Sequence, residues 1–433
     1  MDIAIVGSGI AGLGAAWALA QEHRVTMFEA DDRLGGHAHT VEVGDAGRQV
    51  AVDTGFIVYN ERNYPNLVRL FDHLGVPSEP SDMSFSVSMG AGAFEYQARA
   101  LGLLADPSNV LSRDYRRMVG DIVRFTREAP RAVTERHGET TRELLDRMRL
   151  SLAFRCDFLL PMLACIWSSS LEAMLDLPAR TMVEFLENHE LLSVGARPRW
   201  MTVTGGSRTY VERLSGAFSH GVRTGTGVRK LLRDADGASV HDTNGGVSRF
   251  DHVVLATHAD TSLQILGAGA EDRERAVLSA FRYQESVAVL HRDPSFMPKR
   301  RRVWSSWNYL AEDRAPNGRE GVSLSYWMNR LQNLRTERPV IVTLNPAREP
   351  RDVERTDTYH HPQFDTAAMH AQAQIPSMQG NRRTWFCGSY CGAGFHEDAL
   401  RSGLEVAAAL GSPAPWGTLV PVATPDAPAR IAS

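Results

Sequence analysis

The residues most able to do chemistry sit at the start of the chain. Gly7-Ser8-Gly9-Ile10-Ala11-Gly12 follows a short apolar run and opens an Ala- and Gly-rich helix. Glu29 answers it 22 residues after Gly7. This spacing holds a dinucleotide by a definite physics. Gly7 allows a tight turn, Gly9 lets backbone approach a pyrophosphate, and Gly12 lets the helix sit close to a sheet. Free N–H groups at the helix start then face the phosphates. Glu29 accepts the adenosine ribose hydroxyls and disfavours a 2′-phosphate, so NADP is not expected. A second Gly-rich stretch, Asp32-Arg33-Leu34-Gly35-Gly36-His37, follows at once, and Asp53-Thr54-Gly55 forms another turn.

The elements that must position these residues read as α/β. Residues 2–6 and 24–28 are expected strands around a helix over 10–21, giving a β-α-β unit. Residues 48–58 read as strand and turn. From 64 to about 190 the pattern is mostly helical, with three- and four-residue apolar spacing over 114–128 and 142–159. Strand character returns at 200–206, 222–232, 238–240 and 252–256. An antiparallel sheet rich in Trp and Tyr is expected from 287–291, 302–308, 322–329 and 340–344. A strand at 384–387 and a helix over 399–410 close the folded part. The Pro-rich segment 412–433 reads as disordered.

Composition bounds the alternatives. The chain has 433 residues, 43% apolar and 23% charged, with net charge −4. No basic field argues for nucleic acid. Four cysteines make no disulfide framework and fit no zinc spacing. Cys387 and Cys391 read as parts of a packed loop, although a redox pair is conceivable. The 15 histidines show no metal spacing, so no metal is expected. No G-x-S-x-G elbow suggests hydrolysis. The apolar start lacks a basic n-region and carries Asp2, so it is not read as a signal peptide. No run is long enough to span a bilayer. A cytoplasmic protein is expected, soluble or peripheral on the inner membrane.

The Arg33–Gly36 pair after Glu29 resembles the flavin amine oxidase and phytoene desaturase superfamily. Asp53-Thr54-Gly55, Gly227-Val228-Arg229, Asp251–Thr257, Thr384–Gly388 and Arg401-Ser402-Gly403 match further landmarks. The resemblance covers nearly the whole chain before the tail. It implies an FAD cofactor held by Gly7, Gly9, Ile10, Ala11, Gly12, Glu29 and Ala30. It adds Arg33, Gly35, Gly36, His37, Thr54, Gly55, Val228, Ala256 and Thr257. The last group is Gly388, Ser402 and, in place of the acid the family sets just after Gly388, Glu397 or Asp398. Here Ser389, Tyr390 and Cys391 stand at that acid's place, and His37 stands where Arg is usual. The strings Glu29–His37, Asp53–Asn60, Thr204–Ser207 and Phe395–Asp398 look like a bacterial family of NAD/FAD-binding proteins. That family is associated with cyclopropane-fatty-acyl-synthase-like methyltransferases and is similar to a desaturase of the furan fatty acid route. The resemblance implies a fatty acyl or phospholipid substrate and a methyltransferase as partner.

Candidate chemistry follows from the flavin reading. His396 takes a proton or only hydrogen-bonds its loop. Tyr59 and Asn60 follow the Asp53 turn. Trp304, Trp307, Asn308, Tyr309, Tyr326 and Trp327 line an apolar tunnel or pack a core. His396, Tyr59, Tyr326 and Trp327 are the candidates for the reacting site. Arginines at 113, 116, 117, 124, 127 and 131, and Lys299–Arg302, are membrane-facing or simply solvated. The expected fold is a Rossmann-like FAD domain (1–75, 200–285 and 370–411) with an α+β substrate domain (76–199 and 286–369). The expected activity is FAD-dependent desaturation of an unsaturated or methyl-branched acyl chain. Double-bond isomerisation, amine oxidation and a non-catalytic lipid-binding role remain open.

Overall fold

A computed structural model describes residues 1–98, 111–136, 138–167, 171–188, 191, 199–312 and 322–421. Its organising element is a five-stranded parallel sheet in the order Val222–Arg223, Arg24–Phe28, Asp2–Val6, His252–Leu255, Thr384–Phe386. The central strand is apolar after Asp2, and its Ile3, Ala4 and Ile5 are fully buried, as a parallel strand covered on both faces requires.

Helix Ile10–Leu19 is buried along its whole length, because it lies between the sheet and helix His396–Ala409. Small residues permit that closeness. A Cβ at Gly12 would fall 2.0 Å from the Gly7 carbonyl oxygen, and one at Gly403 would fall 2.1 Å from that of Ala11.

The other large element is a seven-stranded sheet. Its order is Val353–Gln363, Arg282–His291, Ile341–Leu344, Val322–Trp327, Trp307–Ala311, Phe85–Met89, Phe94–Gln97. All neighbours are antiparallel except Trp307–Ala311 with Phe85–Met89. Helices including Arg113–Glu135, Leu160–Trp167 and Ala179–Asn188 share its core.

Several expectations change. The stretch expected to be helical from residue 64 contains the hairpin Phe85–Gln97, which completes the large sheet. Helix character over 142–159 breaks into Thr141–Arg147, a short turn at Leu152–Phe154 and a π-helical turn at Arg155–Leu159. Residues 301–303 form a 3-10 turn, and the strand begins at Trp307. Val353–Gln363 was not anticipated. It is an edge strand with one neighbour, so it tolerates exposed polar residues and Pro362.

The tail is also different from expectation over residues 412–421. Trp416 stacks on Trp17 at 5.8 Å, and Asn66 bonds both the N–H and the carbonyl of Val420. Burial of an indole against an apolar helix overrides the Pro-rich composition. The remainder of the expected disordered segment lies outside the described residues.

Candidate active site

Two glycine loops interlock at the C-terminal end of the parallel sheet. Gly7 has φ +98°, a left-handed conformation suited to glycine. Gly35 donates its N–H to the Ser8 carbonyl at 3.0 Å, which lays the second loop over the first. Arg33 holds that second loop closed, donating to the Gly36 carbonyl at 2.9 Å and the Ala38 carbonyl at 3.4 Å. Glu29 accepts the Ser8 N–H at 2.8 Å and hydroxyl at 2.5 Å through one oxygen, and the Asp31 N–H through the other.

This cradle suits a dinucleotide. The helix from Ile10 has no side-chain cap and no acid in its first turn, so its leading N–H groups are available to an anion. A Cβ at Gly9 would meet nothing within 4 Å, so Gly9 borders open space where a pyrophosphate can approach backbone. Ile10 and Ala11 form the buried first turn. Ala30 lies beside Gly227, next to Val228, with their Cβ positions 3.3 Å apart. Ala256 and Thr257 form the floor beneath Gly7. Ser402 accepts the Gly388 N–H at 2.9 Å and ties the closing helix to the last parallel strand.

Next to the cradle lies a cavity of about 690 Å³. His37, Thr54 and Gly55 form part of its wall, and Leu191 and Arg199 reach it at the protein surface. Phe56, Ile166, Trp167, Phe185, Trp307 and Phe395 give it an apolar lining. Tyr359 and His361, from the unanticipated edge strand, add polar groups. The Tyr359 hydroxyl bonds Thr54 Oγ1 at 2.7 Å and His39 Nδ1 at 3.1 Å. Burial lowers the His37 imidazole well below its usual value, helped by His361, and lowers His361 to about 4. Both are therefore neutral near pH 7.

The closing helix starts at His396, three residues before the expected start, so His396, Glu397 and Asp398 form its first turn. His396 lines the cavity, stacks on Phe56 at 3.8 Å, and pairs its Nε2 with the Tyr210 hydroxyl at 2.6 Å. Burial lowers its pKa to about 3, so it stands as a neutral ring whose Nε2 is already engaged. Glu397, expected at the ribityl chain, is engaged with another helix. Its oxygens accept the Asn66 N–H and side-chain amide and the Leu67 N–H, which caps helix Pro65–Leu74. Burial pushes its carboxyl up to about 7. Asp398 accepts the Phe395 N–H at 3.1 Å and caps its own helix.

The four candidates for the reacting site separate. Tyr326 lines the cavity and packs edge-on to Trp307 at 5.2 Å. Trp327, its neighbour on the same strand, points to the opposite face and packs on Trp304 at 5.3 Å. Tyr59 is buried against Phe71 and donates to Ser78 Oγ at 2.7 Å, away from the cavity wall. Cys387 and Cys391 are free thiols, and burial pushes Cys391 up to about 12, so it is not a ready nucleophile. Among the described residues, no three His, Cys, Asp or Glu side chains are grouped for a metal ion. No described helix is long and apolar enough to cross a membrane.

Sequence reasoning missed Tyr210, Tyr359 and His361. No local motif marks them, since each comes from an element far along the chain. Asp53, quoted for its turn, is a buried hub: it accepts bonds from Thr40, Ser207 and Gln332.

The chain resembles solved structures across nearly its full length. A CLA-producing fatty acid isomerase from P. acnes matches with TM-score 0.68 at 16% identity, over 94% of this chain and 98% of that one. Cyclohexylamine oxidase from Brevibacterium oxydans matches with TM-score 0.69 at 16% identity over the same shares. Wild-type putrescine oxidase bound to putrescine matches with TM-score 0.68 at 16% identity, again over 94% and 98%. At these identities the likeness shows the fold. The family model for flavin containing amine oxidoreductases matches residues 10–411. With the glycine cradle and the adjoining cavity, this places the chain in the family of flavin-containing amine oxidoreductases, with FAD as its cofactor.

Proposed function

We propose that this FAD-dependent oxidoreductase dehydrogenates an unsaturated or methyl-branched fatty acyl chain. The observation that carries the reading is the lining of the cavity. It is mostly aromatic and aliphatic, and its one described carboxylate, Asp82, is paired with Arg330 at 3.1 Å. A protonated amine would find no unpaired carboxylate among the described lining residues, whereas an acyl chain gains from burying its methylenes there. FAD, when bound, supplies the acceptor for a hydride. The chain supplies the rest. Phe56, Trp307 and Tyr326 orient the substrate, and the apolar wall excludes water. His37 and His361 present neutral imidazoles where a proton is released.

Access from a lipid surface belongs to the same proposal. Arg113, Arg116, Arg117 and Arg127 are exposed along helix Arg113–Glu135, with Val123 between them and Leu111 83% exposed just before it. Arg124 instead turns inward to the carbonyls of Met148 and Arg149. Arg300 is held by Glu95, and Arg301 lies over Trp304.

The test is product analysis after aerobic incubation with methyl-branched and unsaturated phospholipids. The expected product is lighter by two hydrogens, with oxygen consumed. A product of unchanged mass with a moved double bond would replace dehydrogenation by isomerisation. Unchanged lipid would overturn the acyl reading.

A further inference from the structure

Outside the main cavity lies a second depression, of about 520 Å³, lined by Pro80, Ser81, Asp82, Trp327, Asn329, Arg330 and Asn333. Ser81 and Asp82 line both spaces, so the two share a wall. Arg330 faces the outer depression, while Leu331, the next residue, lines the inner cavity. The Asp82–Arg330 pair therefore stands where apolar and polar spaces meet.

We infer that this outer depression binds the oxyanion head of the acyl substrate, a carboxylate or a phosphate, through Arg330, while the chain enters the inner cavity past Ser81. The inference rests on the acyl reading above and names the end of the substrate that reading leaves open.

The chemistry of the lining selects an anion. Asn329 is fully engaged: its amide donates to Thr336 Oγ1 at 2.6 Å, and its oxygen accepts the Trp327 indole N–H at 3.0 Å. Asn333 donates to the Pro80 carbonyl at 2.8 Å. Asp82 Oδ1 already accepts the Ser84 N–H and the Ser306 hydroxyl. Ser81 donates to the Leu331 carbonyl at 2.6 Å. Arg330 differs. Its side chain is 33% exposed, and its ion pair with Asp82 uses a single Nη2 contact. A guanidinium carries five N–H donors in a fork that matches a carboxylate or phosphate, so one contact leaves capacity for a second anion. Arg301 lies 5.8 Å over the ring of Trp327, one of the lining residues. With bonds from Ser84, Ser306 and Arg330, the Asp82 carboxylate is better satisfied than the guanidinium it holds.

The test uses flavin-loaded protein and three probes with one oleoyl tail: oleate, oleoyl lysophosphatidate and methyl oleate. Binding is followed by calorimetry, with wild type, Arg330→Gln and Arg330→Lys compared. Wild type is expected to bind one or both anionic probes about tenfold tighter than the ester, the scale of a charge-assisted hydrogen bond. Preference for oleate assigns a free carboxylate, and preference for lysophosphatidate assigns a phosphate head. Arg330→Gln is expected to remove the preference and leave ester binding unchanged. Arg330→Lys, which keeps the charge opposite Asp82, is expected to restore part of it. Equal binding of all three probes by wild type would overturn the head-group site while leaving the acyl reading intact. Loss of all three affinities alike in both variants would also overturn it. Failure of wild type to bind any of the three would overturn the acyl reading and this inference together.

Discussion

The nucleotide cradle and the cavity wall are built by opposite strategies. The cradle is local: Gly7, Gly9, Gly12 and Glu29 lie within 23 residues, and backbone conformation does the work. The cavity wall is assembled from distant pieces. Phe56, Ile166, Trp307, Tyr359 and Phe395 come from five separate stretches. Each contributes a side chain and little special backbone. A local device tolerates almost no change at its small residues. A distributed one changes its specificity piece by piece.

The strongest break in that comparison is expected at Gly12. A Cβ there would fall 2.0 Å from the Gly7 carbonyl and 3.1 Å from Ala256 Cβ, so Gly12→Ala must push the helix off the sheet. Purified Gly12→Ala protein is expected to carry less than about a tenth of the wild-type flavin and to lose several kcal/mol of stability, as overpacking against backbone does. Flavin absorbance per protein and thermal melting check this. Normal flavin content would show that the cradle is not as tight as its geometry.

The cavity should respond the other way. Ile166→Trp adds bulk to the wall without touching the glycine loops. Flavin content is expected to stay at the wild-type level, while turnover of long-chain substrates falls about tenfold, the scale of one misplaced hydrophobic contact. Shorter acyl chains are expected to lose less. A chain-length series measures this.

A smaller effect is expected from the C-terminal segment. Trp416→Ala removes the stack on Trp17 and is expected to cost about 1–3 kcal/mol, seen as a lower Tm with an unchanged flavin spectrum.

The smallest is a pH effect at the cavity. Burial lowers His361 to about 4 and His396 to about 3. Between those values and 6.5 the unfolded chain binds protons that the folded chain does not, so stability falls as pH drops through this window. His361→Gln is expected to make that slope shallower by up to one proton, read from denaturant midpoints at a series of pH values. An unchanged slope would mean that His361 titrates normally.

How much was legible in the sequence follows the same division. The glycine turn, Glu29 and the strand at 252–255 carry their own signatures, because each is a contiguous pattern with a backbone consequence. The edge strand Val353–Gln363 carried none. Its exposed Arg355, Thr356 and His360 hide the alternation that would have marked it, and with it Tyr359 and His361. Tyr326 and Trp327 were grouped as one site, yet strand alternation sends adjacent side chains to opposite faces. Glu397 looked like a cofactor ligand from its position alone. Only the fold brings Asn66 and Leu67 to it.

The most direct test is an anaerobic one. Flavin-loaded protein is mixed with unsaturated or methyl-branched acyl lipids, then with simple amines, while the oxidised-flavin absorbance is followed. The account predicts bleaching by the lipids and none by the amines. Bleaching by amines with no response to any acyl lipid would contradict it.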